Sequence, residues 1–293
     1  MRTPLASPMS DLRIATRRSR LAMAQARQVA RALIESSPGL QVSYLEVTTA
    51  GDLDRTSSVT ELTEVGAFVR AVQRAILDGQ ADLAVHSCKD LPVDGPEELV
   101  AVYPKRDLPW DVLCGHDLES LPAGARVGTG SPRRAAQMRR LRDDVEVDDI
   151  RGNVETRLEK LSAGDYDAVI LAEAGLRRLG LEAEVRHRFT LAEMVPAPGQ
   201  AALAVEAEVD SPAAKLAGYI DDAATRRAVE AERSLLARTG AGCRSALGAY
   251  GIADESTIRL SGFVDDDYGP RNGEAEGSEP EQVARDLQVV LGL

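Results

Sequence analysis

Aromatic residues, cysteine and lysine are scarce in this chain of 293 residues, and it has no long apolar run. Aromatics make up 3% of the residues, so we expect cores built from Leu, Val, Ile and Ala. No apolar run approaches the ~20 residues that a membrane-spanning helix needs. The first residues carry charges where a signal peptide would have its apolar stretch. The sequence therefore predicts a cytoplasmic protein with no membrane partner.

The three cysteines, Cys88, Cys114 and Cys243, are odd in number, lie far apart and form no CxxC pair. They imply neither a disulfide framework nor a zinc site, so we expect a reduced compartment and no metal. Cys88 and Cys114 follow or end apolar runs and are expected to be inert, buried thiols. Cys243 lies in a Gly-rich turn with little side-chain bulk, which leaves its sulfur accessible.

The charge balance excludes one class of partner and favours another. The formal net charge of −12 argues against a nucleic-acid binder. The cations divide into 31 Arg and 4 Lys, a bias that a high-GC genome explains by itself. Such a bias does not explain why eight Arg lie between Arg126 and Arg157. Because guanidinium groups pair with carboxylates in a bidentate geometry, this clustering favours an anionic ligand.

Short aliphatic runs alternate with amphipathic ones in residues 11–103 and again in residues 126–179. Strands that alternate with helices indicate parallel sheets covered on both faces. The two series are joined at 104–110 and again near 196–198. We therefore predict two α/β domains with a cleft between them.

The last third of the chain has a different pattern. An amphipathic helix is expected over 225–237, followed by a small antiparallel sheet from the alternating runs 247–252 and 257–263. Residues 265–281 are acidic and rich in Gly and Pro, which predicts a solvated loop before a short final helix.

Candidate functional residues lie at the turns that follow strands, since open parallel sheets bind ligands there. Arg occurs in four of five such turns, and a single Arg of this kind is more often a solvated charge. The joint pattern indicates a ligand with several negative groups, bound near helix N-termini. The five turns are residues 15–19, 86–90, 128–134, 151–157 and 174–178.

Two of these turns have a more specific interpretation. GTGSPRR at 128–134 lacks the Lys-Ser/Thr of a Walker loop, which argues against a nucleotide triphosphatase. Ser131 is a natural N-cap in this segment and Pro132 a natural first helical residue. Lys89-Asp90 is an acid–base pair at a strand end, able to stabilise a cation or pass a proton. A structural ion pair that braces the loop is the alternative interpretation of Lys89-Asp90.

Seven motifs, in this order, resemble the hydroxymethylbilane synthase (porphobilinogen deaminase) family, over about residues 11–265. They are RIATRRSRLA at 13–22, ADLAVHSCKDLPV at 81–93, VGTGSPRRAAQ at 127–137, IRGNVETRLEKL at 150–161, DAVILAEAGLRRLGL at 167–181, PAPGQAALAVE at 196–206 and GAGCRSALGAY at 240–250.

The resemblance implies an α/β fold of two type II periplasmic-binding-protein-like domains with a cleft between them and a small α+β C-terminal domain. Domain 1 would comprise 11–104 and 200–222, domain 2 would comprise 105–199, and domain 3 would comprise 223–293.

The activity implied is that of a transferase of tetrapyrrole and heme biosynthesis. Such an enzyme condenses four porphobilinogen molecules head to tail, releases ammonia at each addition and hydrolyses off the linear tetrapyrrole. The implied cofactor is a dipyrromethane primer, bound by a thioether to Cys243, and the implied partner is this small substrate, bound by a monomer.

The resemblance also implies a role for each matching residue. Asp90 matches the catalytic carboxylate that assists ammonia loss and also faces the cofactor. The residues that match those binding the cofactor's acetate and propionate groups are Ser19, Lys89, Thr129, Ser131, Arg133 and Arg134. The residues that match those facing substrate and the growing chain are Arg17, Arg151, Arg157 and Arg178, with Gln200 in the cleft at the hinge.

Two departures from the family pattern stand out. Segment 54–68 carries acids and no Lys where members often have a Lys-rich loop before the Phe matched by Phe68. We expect residues 54–64 to form a mobile lid whose acids face solvent or pair with Arg. Trp110 stands where many relatives have Arg.

Two alternative functions remain to be distinguished from this one. The first is a non-catalytic solute-binding protein, which has no use for Cys243. The second is an RNA-binding module, which the negative net charge and the small number of aromatic residues oppose.

Overall fold

A computed structural model describes residues 10–47, 62–239 and 246–293. It divides into two compact units, each made from two stretches of chain. Unit 1 takes the chain up to Pro104 together with Leu203–Asp222, and unit 2 takes Lys105–Ala202 together with Ala223–Leu293. None of the helices in these described ranges has the length and apolar character of a membrane span.

The described elements alternate along most of the chain. The strands are β1 (Asp11–Arg17), β2 (Gln41–Val47), β3 (Leu83–Ser87), β4 (Leu99–Val102), β5 (Asp111–Cys114), β6 (Arg126–Gly128), β7 (Glu146–Asp148), β8 (Ala168–Ala172), β9 (Val185–Arg188), β10 (Leu203–Glu208), β11 (Ala246–Ala253), β12 (Ile258–Asp266) and β13 (Gly269–Gly277). The helices are α1 (Arg20–Ser36), α2 (Leu62–Leu77), α3 (Pro132–Leu141), α4 (Val154–Ser162), α5 (Glu173–Leu179), α6 (Pro212–Ala217), α7 (Ala223–Arg238) and α8 (Pro280–Leu291).

Unit 1 is built on a five-stranded sheet in the order β2-β1-β3-β10-β4. Strands β1, β2 and β3 are parallel, whereas β10 runs antiparallel to both of its neighbours. Helix α1 begins after its N-cap Ser19 and buries the stripe Val29, Ala30 and Leu33 against Leu12 and Ile14 of β1. This apolar stripe at helical spacing is why the segment folds as a helix on the sheet.

Unit 2 contains a second five-stranded sheet, in the order β7-β6-β8-β5-β9. Its β6, β7 and β8 are parallel, and β5 runs antiparallel to β8 and β9. Both sheets are therefore mixed, where the alternating pattern predicted wholly parallel ones. In unit 1 the antiparallel strand β10 comes from a distant part of the chain, and in unit 2 the antiparallel strand is β5, which lies between the two alternating series 11–103 and 126–179. Local periodicity reveals neither pairing.

The C-terminal part of unit 2 is a three-stranded antiparallel sheet, β11-β12-β13, covered by α7 and α8. Leu235, Leu260 and Leu287 are among its fully buried residues. These three sheets confirm the α/β class with two sheet domains and a small antiparallel C-terminal sheet. The division of unit 2 into two separate domains stays a prediction.

The prediction of a solvated loop over 265–281 is wrong, because residues 269–277 form the edge strand β13. Its half-buried positions are occupied by Gly, Ala and Arg271, so the strand shows no apolar alternation. A Cβ at Gly273 would lie 2.6 Å from Val290 Cγ1 of α8, so only glycine lets the helix pack this closely.

The predicted lid, residues 54–64, is not wholly a loop, since α2 begins at Leu62. The prediction of a solvent-facing lid for residues 54–61 lies outside the described residues.

Candidate active site

The Lys89-Asp90 pair lies on a 3₁₀ turn, Cys88–Asp90, directly after the buried strand β3. The turn is closed by Leu91, whose N–H donates to Cys88 O at 3.0 Å. Cys88 is fully buried, whereas Lys89 and Asp90 are half-buried. The turn is thus anchored from inside while its acid–base pair reaches the surface.

Arg17 ends β1, the parallel neighbour of β3, and Ser19 follows two residues later. The Arg17 guanidinium lies over the Phe68 ring, 4.0 Å from its centroid, and Ser19 Oγ accepts the N–H of Ala22 at 3.2 Å as the N-cap of α1. The carboxyl ends of parallel neighbours lie at the same edge of a sheet. Unit 1 therefore brings the segments of Arg17, Ser19 and Lys89-Asp90 to one edge, as the strand-end argument predicts.

A buried polar cluster in unit 1 was missed by sequence reasoning. Glu206 on β10 accepts from Gln73 Nε2 at 3.0 and 3.1 Å and lies 3.0 Å from His86 Nε2. All three residues are at least nine-tenths buried. His86 belongs to β3, so this cluster ties the strand that carries the Lys89-Asp90 turn to β10 and α2. Its members are far apart in sequence, which leaves no local signal.

In unit 2, Thr129 and Ser131 form the turn between β6 and α3. Thr129 Oγ1 accepts the N–H of Ser131 at 3.2 Å, and Ser131 Oγ accepts that of Arg134 at 3.4 Å. This confirms Ser131 as the N-cap, with Pro132 in the first turn. A Cβ at Gly130 would lie 3.1 Å from both Asp149 Oδ1 and Ile150 O, so the turn packs closely on the segment that leads to Arg151.

Arg133 and Arg134 converge on a residue that the sequence interpretation did not include among the site residues, Asp111. Arg133 Nη1 donates to Asp111 Oδ2 at 2.7 Å, and Arg134 Nε donates to Oδ1 at 2.8 Å. Gln200 Nε2 donates to the same Oδ1 at 3.0 Å. These four residues, here called the Asp111 cluster, are all buried. Three of the predicted site residues are therefore held together by one carboxylate.

The Asp111 carboxylate is ionised in this environment. Burial by itself raises the pKa of Asp111, but the two guanidiniums outweigh this effect and hold the pKa well below its usual range. Burial lowers the pKa of Arg133, which Asp111 partly offsets. Since an Arg guanidinium stays protonated even so, the cluster carries two positive charges and one negative charge.

Arg151, Arg157 and Arg178 also belong to unit 2 but lie outside the Asp111 cluster. Exposed Arg151 pairs with Asp149 at 3.2 Å, and Arg157 Nε donates to Gly152 O at 2.9 Å. Arg178 Nη2 donates to Ala201 O at 2.7 Å, and burial lowers its pKa. The structure thus brings Arg133, Arg134 and Gln200 into one cluster and leaves these three in separate contacts.

A second buried network, here called the Glu232 cluster, centres on Glu232 of α7. Its carboxylate binds Arg106 through both oxygens and accepts the N–H of Gly199 at 2.6 Å and of Gly251 at 2.7 Å. Arg106 Nε in turn donates to Gln200 O at 2.7 Å. Glu232 thereby joins α7 and β11 to the segment that carries Gln200. Sequence reasoning missed it because its partners are dispersed.

Trp110, the departure next to Asp111, packs on Tyr250 of β11 with ring centroids 5.5 Å apart and planes inclined by 58°. Burial raises the pKa of Tyr250.

The two described cysteines are fully buried, as predicted. Burial raises the pKa of Cys114 to about 12, so its thiol is protonated and inert at neutral pH. Cys243 lies outside the described residues, between α7 and β11. Within the described ranges, no group of three His, Cys, Asp or Glu is arranged to hold a metal ion.

Comparison with known proteins gives consistent results over most of the chain. A family model described as "Porphobilinogen deaminase, dipyromethane cofactor binding domain" matches residues 12–215. The porphobilinogen deaminase of Acidothermus cellulolyticus is 47% identical over 262 residues, covering 86% of this chain and 78% of the relative. That of Roseiflexus castenholzii is 44% identical, covering 84% and 82%, and that of Sorangium cellulosum is 41% identical, covering 91% of each.

Proposed function

Since the chain belongs to the porphobilinogen deaminase family, we propose that it is a hydroxymethylbilane synthase, a transferase of tetrapyrrole and heme biosynthesis. It condenses four porphobilinogen molecules head to tail on a dipyrromethane primer, with loss of ammonia at each addition, and then releases the linear tetrapyrrole by hydrolysis. The match of residues 12–215 to a domain that binds this cofactor carries the proposal.

The residues present fit a primer whose pyrroles carry acetate and propionate groups. Arg133 is 4% exposed, and its Nε finds no acceptor among the described residues. A buried N–H of a charged group needs an acceptor, and a carboxylate is the strongest one available. When bound, the dipyrromethane supplies the pyrrole carbon to which the first substrate unit is joined.

The primer would be attached to Cys243, the cysteine that lies in the Gly-rich turn. Its acidic groups would be held by the six residues that match the cofactor-binding positions of the family: Ser19, Lys89, Thr129, Ser131, Arg133 and Arg134. The two buried cysteines offer no accessible sulfur, which supports this assignment.

Asp90 is the group we assign to the chemistry. Its half-buried carboxylate can stabilise the positive charge that develops on the substrate as ammonia leaves, and can accept and return a proton. Lys89 precedes it on the same 3₁₀ turn.

Substrate carboxylates would be bound by Arg17, Arg151, Arg157 and Arg178, with Gln200 positioned through the Asp111 cluster. Each pyrrole brings two carboxylates, so a growing chain accumulates negative charge. Guanidiniums at several strand ends offset this charge, which a protein of net charge −12 would otherwise repel. We propose that the protein works as a cytoplasmic monomer of three domains.

Intact-mass measurement tests this function directly. The wild-type protein should carry an added mass of two pyrrole units and convert porphobilinogen to product. Cys243→Ser should lose both the adduct and product formation, whereas Cys88→Ser and Cys114→Ser should keep both. A folded wild-type protein that binds porphobilinogen without any adduct or turnover would instead support the solute-binding alternative, and an adduct mapped to Cys88 or Cys114 would refute the attachment site.

A further inference from the structure

Asp111 joins three elements of unit 2. It opens the buried strand β5 and is itself fully buried. Its two oxygens receive N–H groups from Arg133 and Arg134 on α3 and from Gln200, which precedes β10. A single carboxylate therefore fixes the orientation of three side chains to which we assign roles in binding.

The charge of Asp111 keeps the two adjacent guanidiniums in place. Like charges at neighbouring buried positions repel, and a buried charge without a counter-charge is strongly destabilising. Arg134 Nη2 also pairs with Asp111 Oδ1 at 2.7 Å, and its Nη1 donates to Ile170 O at 3.0 Å. Arg133 Nη1 divides its N–H groups between Asp111 and Val195 O, both at 2.7 Å.

One buried nitrogen of this array, Arg133 Nε, has no acceptor among the described residues. The array as a whole carries one positive charge more than Asp111 neutralises. Both the vacant donor and the excess charge match a single carboxylate ligand.

We propose that Asp111 is a positioning residue for the primer. It orients Arg133 and Arg134 so that Arg133 Nε binds one carboxylate of the dipyrromethane and the array is left with the one positive charge that this carboxylate neutralises. The inference rests on the proposed function, and it adds a residue that does not itself contact the primer.

The test compares Asp111→Asn with Glu173→Gln. Glu173 is also a buried carboxylate of unit 2, but its carboxylate pairs with Arg188 and not with a member of the Asp111 cluster. Both variants should lower the melting temperature. Only Asp111→Asn should also lower the fraction of protein that carries the primer, measured by intact mass, or the kcat of the loaded fraction. The expected decrease is about 10–100-fold, the range for a shift of reacting groups by about 1 Å. KM for porphobilinogen should change less than occupancy or kcat, because Gln200 is the one of the three oriented residues to which we assign a substrate contact, and it keeps its bond to Pro109 O at 2.7 Å.

A second variant, Asp111→Glu, retains the negative charge while moving the carboxylate by one methylene. It should fold like the wild type and still show reduced occupancy or kcat. Primer occupancy and kcat at wild-type values in both Asp111 variants would overturn the inference. It would also be overturned if, at equal loss of stability, Asp111→Asn lost no more occupancy or kcat than Glu173→Gln. Failure of the proposed function itself has a different signature, namely a wild-type protein without any adduct.

Discussion

Replacing Glu232 by Gln should destabilise unit 2 strongly, although the two side chains have nearly the same shape. Each carboxylate oxygen of Glu232 receives one N–H from Arg106 and one backbone N–H, from Gly251 or from Gly199. An amide NH₂ group placed at either oxygen would face two donors. It would also leave the Arg106 guanidinium buried without its counter-charge.

The magnitude follows from these contacts. Breaking a buried ion pair by removing one partner costs about 3–5 kcal/mol. At roughly 2–4 °C per kcal/mol for a protein of this size class, the melting temperature should fall by about 6–20 °C. Scanning calorimetry or urea unfolding measures this difference.

Glu230→Gln is the matched control on the same helix, α7. Glu230 pairs with Arg226 at 3.5 Å across one helical turn, and both side chains are substantially exposed. Such pairs contribute about 0.3–0.5 kcal/mol, so this variant should melt within about 2 °C of the wild type. Equal melting temperatures for Glu232→Gln and Glu230→Gln would refute the argument that the buried network stabilises unit 2.

Three further predictions concern single groups. Asp90→Asn should keep the fold and the adduct but lower single-turnover consumption of porphobilinogen by at least ~10²-fold, and consumption near the wild-type rate would remove Asp90 from the mechanism. Cys114 should resist alkylation in the native protein around pH 8, since burial raises its pKa to about 12, and peptide mapping that finds it modified before unfolding would contradict this. Because the pKa of folded Asp111 is lowered, its ionised form stabilises the protein above the unfolded-state value of about 3.9, and this contribution is lost as the pH falls below it. The gap in urea midpoint between wild type and Asp111→Asn should therefore narrow from about pH 5 to about pH 3, and a constant gap would show that charge is not the source of the difference.

The features that sequence predicted correctly are local ones. Ser131 was identified as a cap because capping depends on a hydroxyl three residues before an N–H, a relation visible within one turn. The strand-end turn at Lys89-Asp90 was found in the same way, since the apolar run before it ends abruptly in polar residues.

The features that sequence missed depend on contacts across long separations. Asp111 meets Arg133, Arg134 and Gln200 only after β5 has entered the sheet, so no spacing in the sequence connects them. Strand β13 was missed for a different reason. Its half-buried face carries Gly, Ala and Arg271, so it lacks the alternation of large apolar side chains by which a strand is predicted from sequence.

The position of β10 sets an order of events during synthesis on the ribosome. Strand β10 lies between β3 and β4, yet it is translated only after all the strands of the second five-stranded sheet, β5–β9. The sheet of unit 1 therefore stays incomplete, with the edges of β3 and β4 unpaired, while the five-stranded sheet of unit 2 can already form. Non-local pairing of this kind slows folding and lengthens the exposure of apolar strands to aggregation. The nascent chain would thus depend on chaperones most between the emergence of β4 and that of β10.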